Sequence, residues 1–344
     1  MTYHTLTKEF NNKFWTLAEN SKSIAITAHF SPDGDSISSC LSVFRILKDK
    51  FSEKNIRVIY SGEEDASFRF LSDFKNIEWL PDMADGLAET DLLIVVDCAD
   101  DSRFTNKPEI TNKITSKICI DHHKSAAGGY TENMIVPEIP ACAELIYRIF
   151  KDEIIINEDL AKTFLLGIIT DTGNFTDIEA SQADTLLVAN ELIKKGNVNM
   201  VSFLAEFGTI SKREFELVQE FIKNSSFEEV LNWPPFHYTY IEREIIEKNN
   251  YTGNELNKAS KAYISAYLKK IEGYQWGFIV RPKLSFCGIS MRSVTENVNV
   301  RKILERMELG GGHDRAAGGI FKDEPDPKKC IERVFTWLEN NKPE

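Results

Sequence analysis

The first half of the chain alternates short apolar runs with segments whose apolar residues recur at helical spacing. "SIAITAH" (23–29), "IRVIYSG" (56–62), "DLLIVVDCAD" (91–100) and "SKICIDHH" (116–123) read as strands. "SISSCLSVFRILKDKF" reads as a helix, with Ile37, Leu41, Phe44, Leu47 and Phe51 on one face. "PACAELIYRIF" and "LAKTFLLGIITDTG" also look helical, although "LLGIIT" alone has the length and content of a buried strand. Strands alternating with helices in this way predict an α/β fold with a parallel sheet. From residue 181 to about 224 the pattern is helical almost throughout. After 226 the texture changes to β-prone pieces, "FHYTYIE", "WGFIVRP" and "FCGISMRS", followed by a helix-like "NVRKILERM" and a glycine cluster. The expected organisation is an N-terminal parallel-sheet α/β domain over 1–199, a helical connector over 200–225, and a smaller C-terminal α+β domain over 226–344.

Composition narrows the partners. A formal charge of −12 argues against a whole-surface hold on duplex DNA, but a small anionic substrate needs only a local cluster of cations. No apolar run approaches the roughly 18 residues needed to span a bilayer, so no membrane partner is expected. The first residues, "MTYHTLTKEFNNKFW", lack the basic-then-apolar pattern of a signal peptide. Six scattered cysteines, never as Cys-x-x-Cys, read as reduced thiols and point to a cytoplasmic protein.

Acids and imidazoles gather at the ends of the apolar runs. His29, Asp33 and Asp35 follow "IAITA"; Asp97 ends "LLIVVD"; Asp121, His122 and His123 end "KICIDHH"; Asp171 ends "LLGIITD". Ligands of open parallel sheets bind outside the carboxyl ends of the strands, so these groups should converge although far apart in sequence. Taken singly, each has an ordinary explanation. "SPDGDS" is turn chemistry, and Asp35 or Ser36 would cap the following helix. Asp33 and Asp35, two apart, point the same way if the backbone is extended. Converging carboxylates repel unless a cation lies between them. A mixed carboxylate–imidazole set suits two divalent ions such as Mn²⁺ better than a thiolate-rich zinc site, and a metal pair is standard apparatus for displacement at phosphorus.

"HFSPDGDS", "VVDCAD", "DHH" and "TDTG", in that order and followed by "GGGHDRAAGG", resemble the DHH–DHHA1 phosphoesterases over nearly the whole chain. The resemblance implies a catalytic DHH domain with two Mn²⁺ (Mg²⁺ or Co²⁺ as substitutes) and a substrate-binding DHHA1 domain. It implies that His29 and Asp33 hold one ion, that Asp35, His122 and Asp171 hold the other, and that Asp97 bridges both. Asp121 would orient a ligand from behind, and His123 would face the scissile phosphate. In the C-terminal domain, Arg292, Ser293, Gly310, Gly311, Gly312, His313 and Arg315 would bind substrate. Gly310–Gly312 read alone are equally a flexible turn. Arg281 and Arg315 read equally as ordinary surface charges, and only Arg315 is kept in the expected set. "DSISS" stands where Ala and Gly are commoner in the family. "PACAELIY" stands where Ser and Thr are commoner, which puts a hydroxyl contact to substrate there in doubt.

The implied activity is hydrolysis of short oligoribonucleotides or dinucleotides (nanoRNA, pApA, cyclic-di-AMP) to mononucleotides, together with conversion of pAp to AMP, by a homodimer. Three alternatives compete: a single-strand exonuclease of the RecJ type, an inorganic pyro- or polyphosphatase, and a non-catalytic nucleotide-binding protein. The first calls for extra nucleic-acid-binding modules and a basic channel. The second lacks a terminal "GGGH". The third would have lost metal ligands, and here every position is filled.

Overall fold

The structure is a computed structural model describing residues 3–30, 32–124, 128–283 and 285–343. The chain divides into two units, Met1–Gly208 and Thr209–Glu344. The first contains, in order, α1 (Tyr3–Asn20), β1 (Ser23–Thr27), α2 (Gly34–Lys50), β2 (Asn55–Ser61), β3 (Ile77–Leu80), β4 (Leu92–Val96), α3 (Pro108–Thr111), β5 (Ser116–Asp121), β6 (Glu132–Ile135), α4 (Cys142–Phe150), α5 (Glu158–Asp171), α6 (Asp184–Gly196) and α7 (Met200–Gly208). Its strands form one sheet in the order β3-β2-β1-β4-β5-β6, every pair parallel. The strand order reverses between β1 and β4, the place where such sheets open a crevice for ligands.

Strand alternation divides the apolar residues between two cores. Ile24, Ile26, Leu92, Ile94, Val96, Ile118 and Ile120 pack into a large core with residues of α1, α2, α4, α5 and α6. Ala25, Ile59, Leu93 and Val95 join Met83, Phe104 and Ile114 in a smaller core on the other face. Burial on both faces explains why "LLIVV" is a continuous apolar run rather than an alternating one.

The second unit contains α8 (Lys212–Lys223), β7 (Ser226–Glu228), β8 (Phe236–Tyr240), α9 (Arg243–Asn249), α10 (Gly253–Ala266), β9 (Trp276–Pro282), β10 (Cys287–Ser293), α11 (Val300–Arg306), β11 (Gly310–His313), β12 (Ala316–Phe321) and α12 (Pro327–Glu339). Its mixed sheet has the order β11-β12-β10-β9-β8-β7, with only β8–β9 parallel among the described pairs. Phe278, Val280, Ile289, Met291 and Phe321 pack against α11 and α12, while Ile279 joins α8 and α10 on the other side.

Two expectations need correction, and one ambiguity is resolved. The stretch read as one helical connector is two helices: Phe203 of α7 is buried in the core of the first unit, whereas Leu217, Val218 and Phe221 of α8 pack with α10 in the second. Of the two readings open for "LLGIIT" the helical one holds, and Asp171 is the last residue of α5. The glycine cluster is a strand hairpin, with Gly310–His313 paired antiparallel to Ala316–Gly319.

Candidate metal centre

His29 lies just past β1. Its Nδ1 is 2.9 Å from the carbonyl of Phe30. A carbonyl only accepts, so Nδ1 carries the proton and Nε2 offers a lone pair. That Nε2 is 3.6 Å from Asp33 Oδ2 and 3.3 Å from Asp97 Oδ2. Asp33 is the N-cap of α2: its Oδ1 accepts from Ser36 N at 3.0 Å, and Ser36 Oγ accepts in return from Asp33 N at 3.0 Å. One oxygen of Asp33 therefore starts the helix while the other faces His29. The cap is thus Asp33, and neither Asp35 nor Ser36.

Because the helix begins at Gly34, Asp35 lies in its first turn and not in extended chain. Its carboxylate does not share a direction with that of Asp33. It is fully buried and accepts from Cys142 N at 2.6 Å and Ala143 N at 2.9 Å, the opening residues of α4. These amides form the positive end of that helix, a good seat for an anion. Gly167 of α5 leaves room for this approach: a Cβ there would lie 2.6 Å from Asp35 Oδ1 and 2.5 Å from Ala143 Cβ.

His122 repeats the arrangement of His29. Its Nδ1 is 3.1 Å from the carbonyl of Ile139, and its Nε2 is 3.7 Å from Asp35 Oδ2, 3.3 Å from Asp97 Oδ1 and 3.2 Å from Asp171 Oδ2. Two groups result, His29–Asp33–Asp97 and Asp35–His122–Asp171, each with its donor atoms within 4.8 Å of one another. Asp97 stands between them, one oxygen toward each imidazole. It follows β4 in the left-handed region, with φ of 56°. A non-glycine residue there is uncommon and belongs with constrained positions at functional sites. Asp121 Oδ1 accepts from His123 N at 3.0 Å and from His123 Nδ1 at 2.7 Å, fixing the ring whose Nδ1 also lies 3.5 Å from Asp97 Oδ1.

Burial works against charge on both first-named imidazoles. Even so, Asp33 and Asp97 hold His29, and Asp171 and Asp97 hold His122, well above the usual imidazole range. Burial also opposes ionisation of the acids. His29 nonetheless brings Asp33 to about 2, and His122 and His29 hold Asp97 well below the carboxylate range. Asp121 is lowered against its burial by His123. Asp35 goes the other way, raised by burial and by Asp97 and Asp171; Asp171 is raised by burial against the pull of His122. With all four acids ionised, the two imidazoles could not balance their charge, and the upward shifts of Asp35 and Asp171 show where that repulsion falls. Asp97 Oδ1 is buried and accepts no hydrogen bond among the described residues. An orphaned carboxylate oxygen at the centre of a nitrogen–oxygen donor set fits divalent cations.

Comparison with known proteins agrees. Residues 23–168 match the DHH family, N-terminal domain, and residues 235–340 match the DHHA1 domain. The chain belongs to the DHH–DHHA1 phosphoesterases. It is a phosphoric ester hydrolase by class. Among curated DHH relatives it is 26% identical to the cyclic-di-AMP phosphodiesterase PdeA of Listeria monocytogenes, covering 89% of this chain and 46% of that protein. It is 24% identical to the probable bifunctional oligoribonuclease and PAP phosphatase NrnA of Streptococcus mutans, covering 86% of this chain and 88% of that one. An exopolyphosphatase-related protein from Bacteroides fragilis has the same fold, with a TM-score of 0.80 at 22% identity over 96% of this chain and 97% of that one.

In the DHHA1 unit, register decides which expected residues share a surface. Arg292, Ala316 and His313 form one cross-strand row, and Ser290, Gly318 and Gly311 the next. Their face of the sheet is opposite the one that carries Met291, Ala317 and Phe321 in the core. Ser293 is corrected by the same alternation. It is buried on the core side, where its hydroxyl donates to Thr295 O at 3.2 Å and accepts from Thr295 N at 3.0 Å. Arg315 is exposed in the β11–β12 turn and contributes its carbonyl to Ser293 N at 3.0 Å. Gly310 has a packing reason to be glycine, since a Cβ would meet Gly318 O at 2.2 Å. Gly312 has a conformational one, with φ of 140°. Arg281 is held on β9 by two serine hydroxyls, those of Ser260 and Ser290.

Proposed function

We propose that the chain is a divalent-metal phosphodiesterase that hydrolyses short oligoribonucleotides or dinucleotides (nanoRNA, pApA or cyclic-di-AMP) to mononucleotides, and pAp to AMP. The observation that carries this reading is the pair of acid–imidazole groups meeting at Asp97. His29 and Asp33 would hold one ion, Asp35, His122 and Asp171 the other, with Asp97 between. Mn²⁺ is the proposed ion, with Mg²⁺ or Co²⁺ as substitutes. Such ions supply Lewis acidity toward phosphoryl oxygens and lower the pKa of water.

The chain's own residues do the rest. The carbonyls of Phe30 and Ile139 fix the tautomers of His29 and His122, so that both imidazoles present Nε2. The Cys142 and Ala143 amides donate to the two oxygens of Asp35 and fix the orientation of its carboxyl group. Asp121 holds Nδ1 of His123, which would use its opposite nitrogen to donate a proton to the leaving oxygen. Substrate recognition is assigned to Arg292, His313, Gly311 and Arg315 of the DHHA1 unit. The similarity to proteins named for cyclic-di-AMP hydrolysis and for oligoribonuclease and PAP phosphatase activity supports the substrate class. A cytoplasmic homodimer completes the proposal. Six buried free cysteines support the reducing compartment, and no described helix is long and apolar enough to cross a membrane.

The test is a product time course with Mn²⁺ on cyclic-di-AMP, pApA, pAp and labelled RNA of increasing length. Mononucleotides released fastest from the shortest chains are the expected result. Sustained activity on the longest RNA would replace this reading with an exonuclease. Asp97→Ala that keeps full turnover would remove the metal centre from it.

A further inference from the structure

Arg281 stands opposite Gly288 in the β9–β10 pair, on the same face as Ser290 and Arg292. Its Nη1 donates to Ser260 Oγ of α10 at 2.8 Å, and its Nη2 to Ser290 Oγ at 2.8 Å. Its Nε is buried and has no acceptor among the described residues. The charges that Arg281 and Lys283 feel are those of other cations, Arg292 for the first and Arg281 for the second. Burial and Arg292 bring Arg281 down to about 10, and burial and Arg281 lower Lys283. Neither cation forms an ion pair with a carboxylate among the described residues.

A purely structural role is a poor account of this group. Two serine hydroxyls use two of five guanidinium donors and neutralise none of its charge. Partly burying a cation with no counter-charge is costly, and a neutral side chain would tie α10 to the sheet with less loss. The surface around the guanidinium is also bare. A Cβ on Gly288 would meet nothing nearer than Lys283 Cε at 3.8 Å and Arg281 Nη2 at 4.0 Å. Beside Ser290, a Cβ on Gly318 would meet nothing nearer than Ile289 O at 3.7 Å. Cations without an anion, next to glycines whose missing side chains leave room, make a receptor for a small multivalent anion.

We propose that Arg281, with Lys283 and Ser290, is a subsite for a non-scissile phosphomonoester, so that the enzyme selects nucleotides carrying a terminal phosphate. This rests on the phosphodiesterase reading above. It adds a determinant of substrate choice outside the Arg292–His313 row and the glycines of β11.

The experiment compares kcat/KM for pApA and ApA in the full chain with Mn²⁺. Wild type is expected to favour pApA. Arg281→Met should cut the pApA/ApA ratio about 10- to 100-fold, the range for the loss of a hydrogen bond to a charged group. Gly288→Val should cut it as well, because its methyls occupy the space between the two cations without removing either. An unchanged ratio in either folded variant overturns the proposal. If wild type hydrolyses neither dinucleotide, the phosphodiesterase reading has failed and the subsite is judged by binding alone. AMP and adenosine are then titrated calorimetrically into the full chain in EDTA. AMP should bind more tightly than adenosine, and Arg281→Met should abolish the difference. Equal affinity for both in wild type overturns the subsite.

Discussion

Asp33 serves two ends at once, and a pair of substitutions separates them. Its Oδ1 caps α2 through Ser36 N at 3.0 Å, while its Oδ2 lies 3.6 Å from His29 Nε2. Asp33→Ala removes both functions. Asp33→Ser removes the carboxylate but leaves a hydroxyl suited to the same cap. The helix being capped is central: 13 of its 17 residues are buried. Fraying its first turn would also disturb Asp35, which sits in that turn and reaches the amides of α4.

The cap is worth about 1 kcal/mol, within a range of about 0.5–2 for serine, threonine or aspartate replaced by alanine. In a domain the size of the first unit, 1 kcal/mol moves the melting temperature by about 2–4 °C. Both variants lose the same interaction with His29, so that term cancels between them. The assay is calorimetric melting of the full chain in EDTA, following the transition of the first unit. Asp33→Ala should melt about 2–4 °C below Asp33→Ser. With Mn²⁺ present, the two should show equal losses of metal affinity, at least about 100-fold, because removing even an outer partner of a metal ligand costs 10- to 100-fold. Coincident melting temperatures in EDTA would refute the cap. A serine variant that keeps wild-type metal affinity would refute the second role of Asp33.

Two further outcomes follow from the same geometry. In EDTA, His29 and His122 are raised, so their stabilising contribution is complete below their unfolded value of about 6.5 and is lost as pH rises through their folded values. The raised Asp35 and Asp171 act in the same direction, whereas the lowered Asp33 and Asp97 contribute above their unfolded value and lose that contribution toward acid. Melting temperature in EDTA should therefore fall from neutral to alkaline pH, and Mn²⁺, which displaces the protons, should reverse the trend; a flat or rising curve in EDTA contradicts the coupling. Gly167→Ala should destabilise the first unit by about 1–3 kcal/mol, since its methyl would lie 2.5 Å from Ala143 Cβ. Wild-type denaturant midpoints in that variant would mean that α4 and α5 are not packed this closely.

What the sequence revealed and what it hid have physical causes. Strands buried on both faces announce themselves, and β1, β4 and β5 were legible for that reason. The short β3 and β6, at the edges of the sheet, are only partly buried and gave no run long enough to read. "LLGIIT" was ambiguous because a helix buried nearly all round has no polar face to mark its period. The acids and imidazoles stood out because each closes an element, but their directions did not. A helix that starts one residue after Asp33 turns Asp33 and Asp35 apart, and only the location of the cap reveals it. The partners of Asp35 are the least legible of all. "PACAELIY" looks deficient beside a stretch expected to carry hydroxyls, yet what it supplies to Asp35 is the amides of Cys142 and Ala143. A backbone donor has no residue-type signature, so a loss of Ser and Thr at those positions leaves that contact intact. Arg281 was hidden in the opposite way: its residue type was plain, but a cation held by two serines and facing a glycine is recognisable only once the strands are in register.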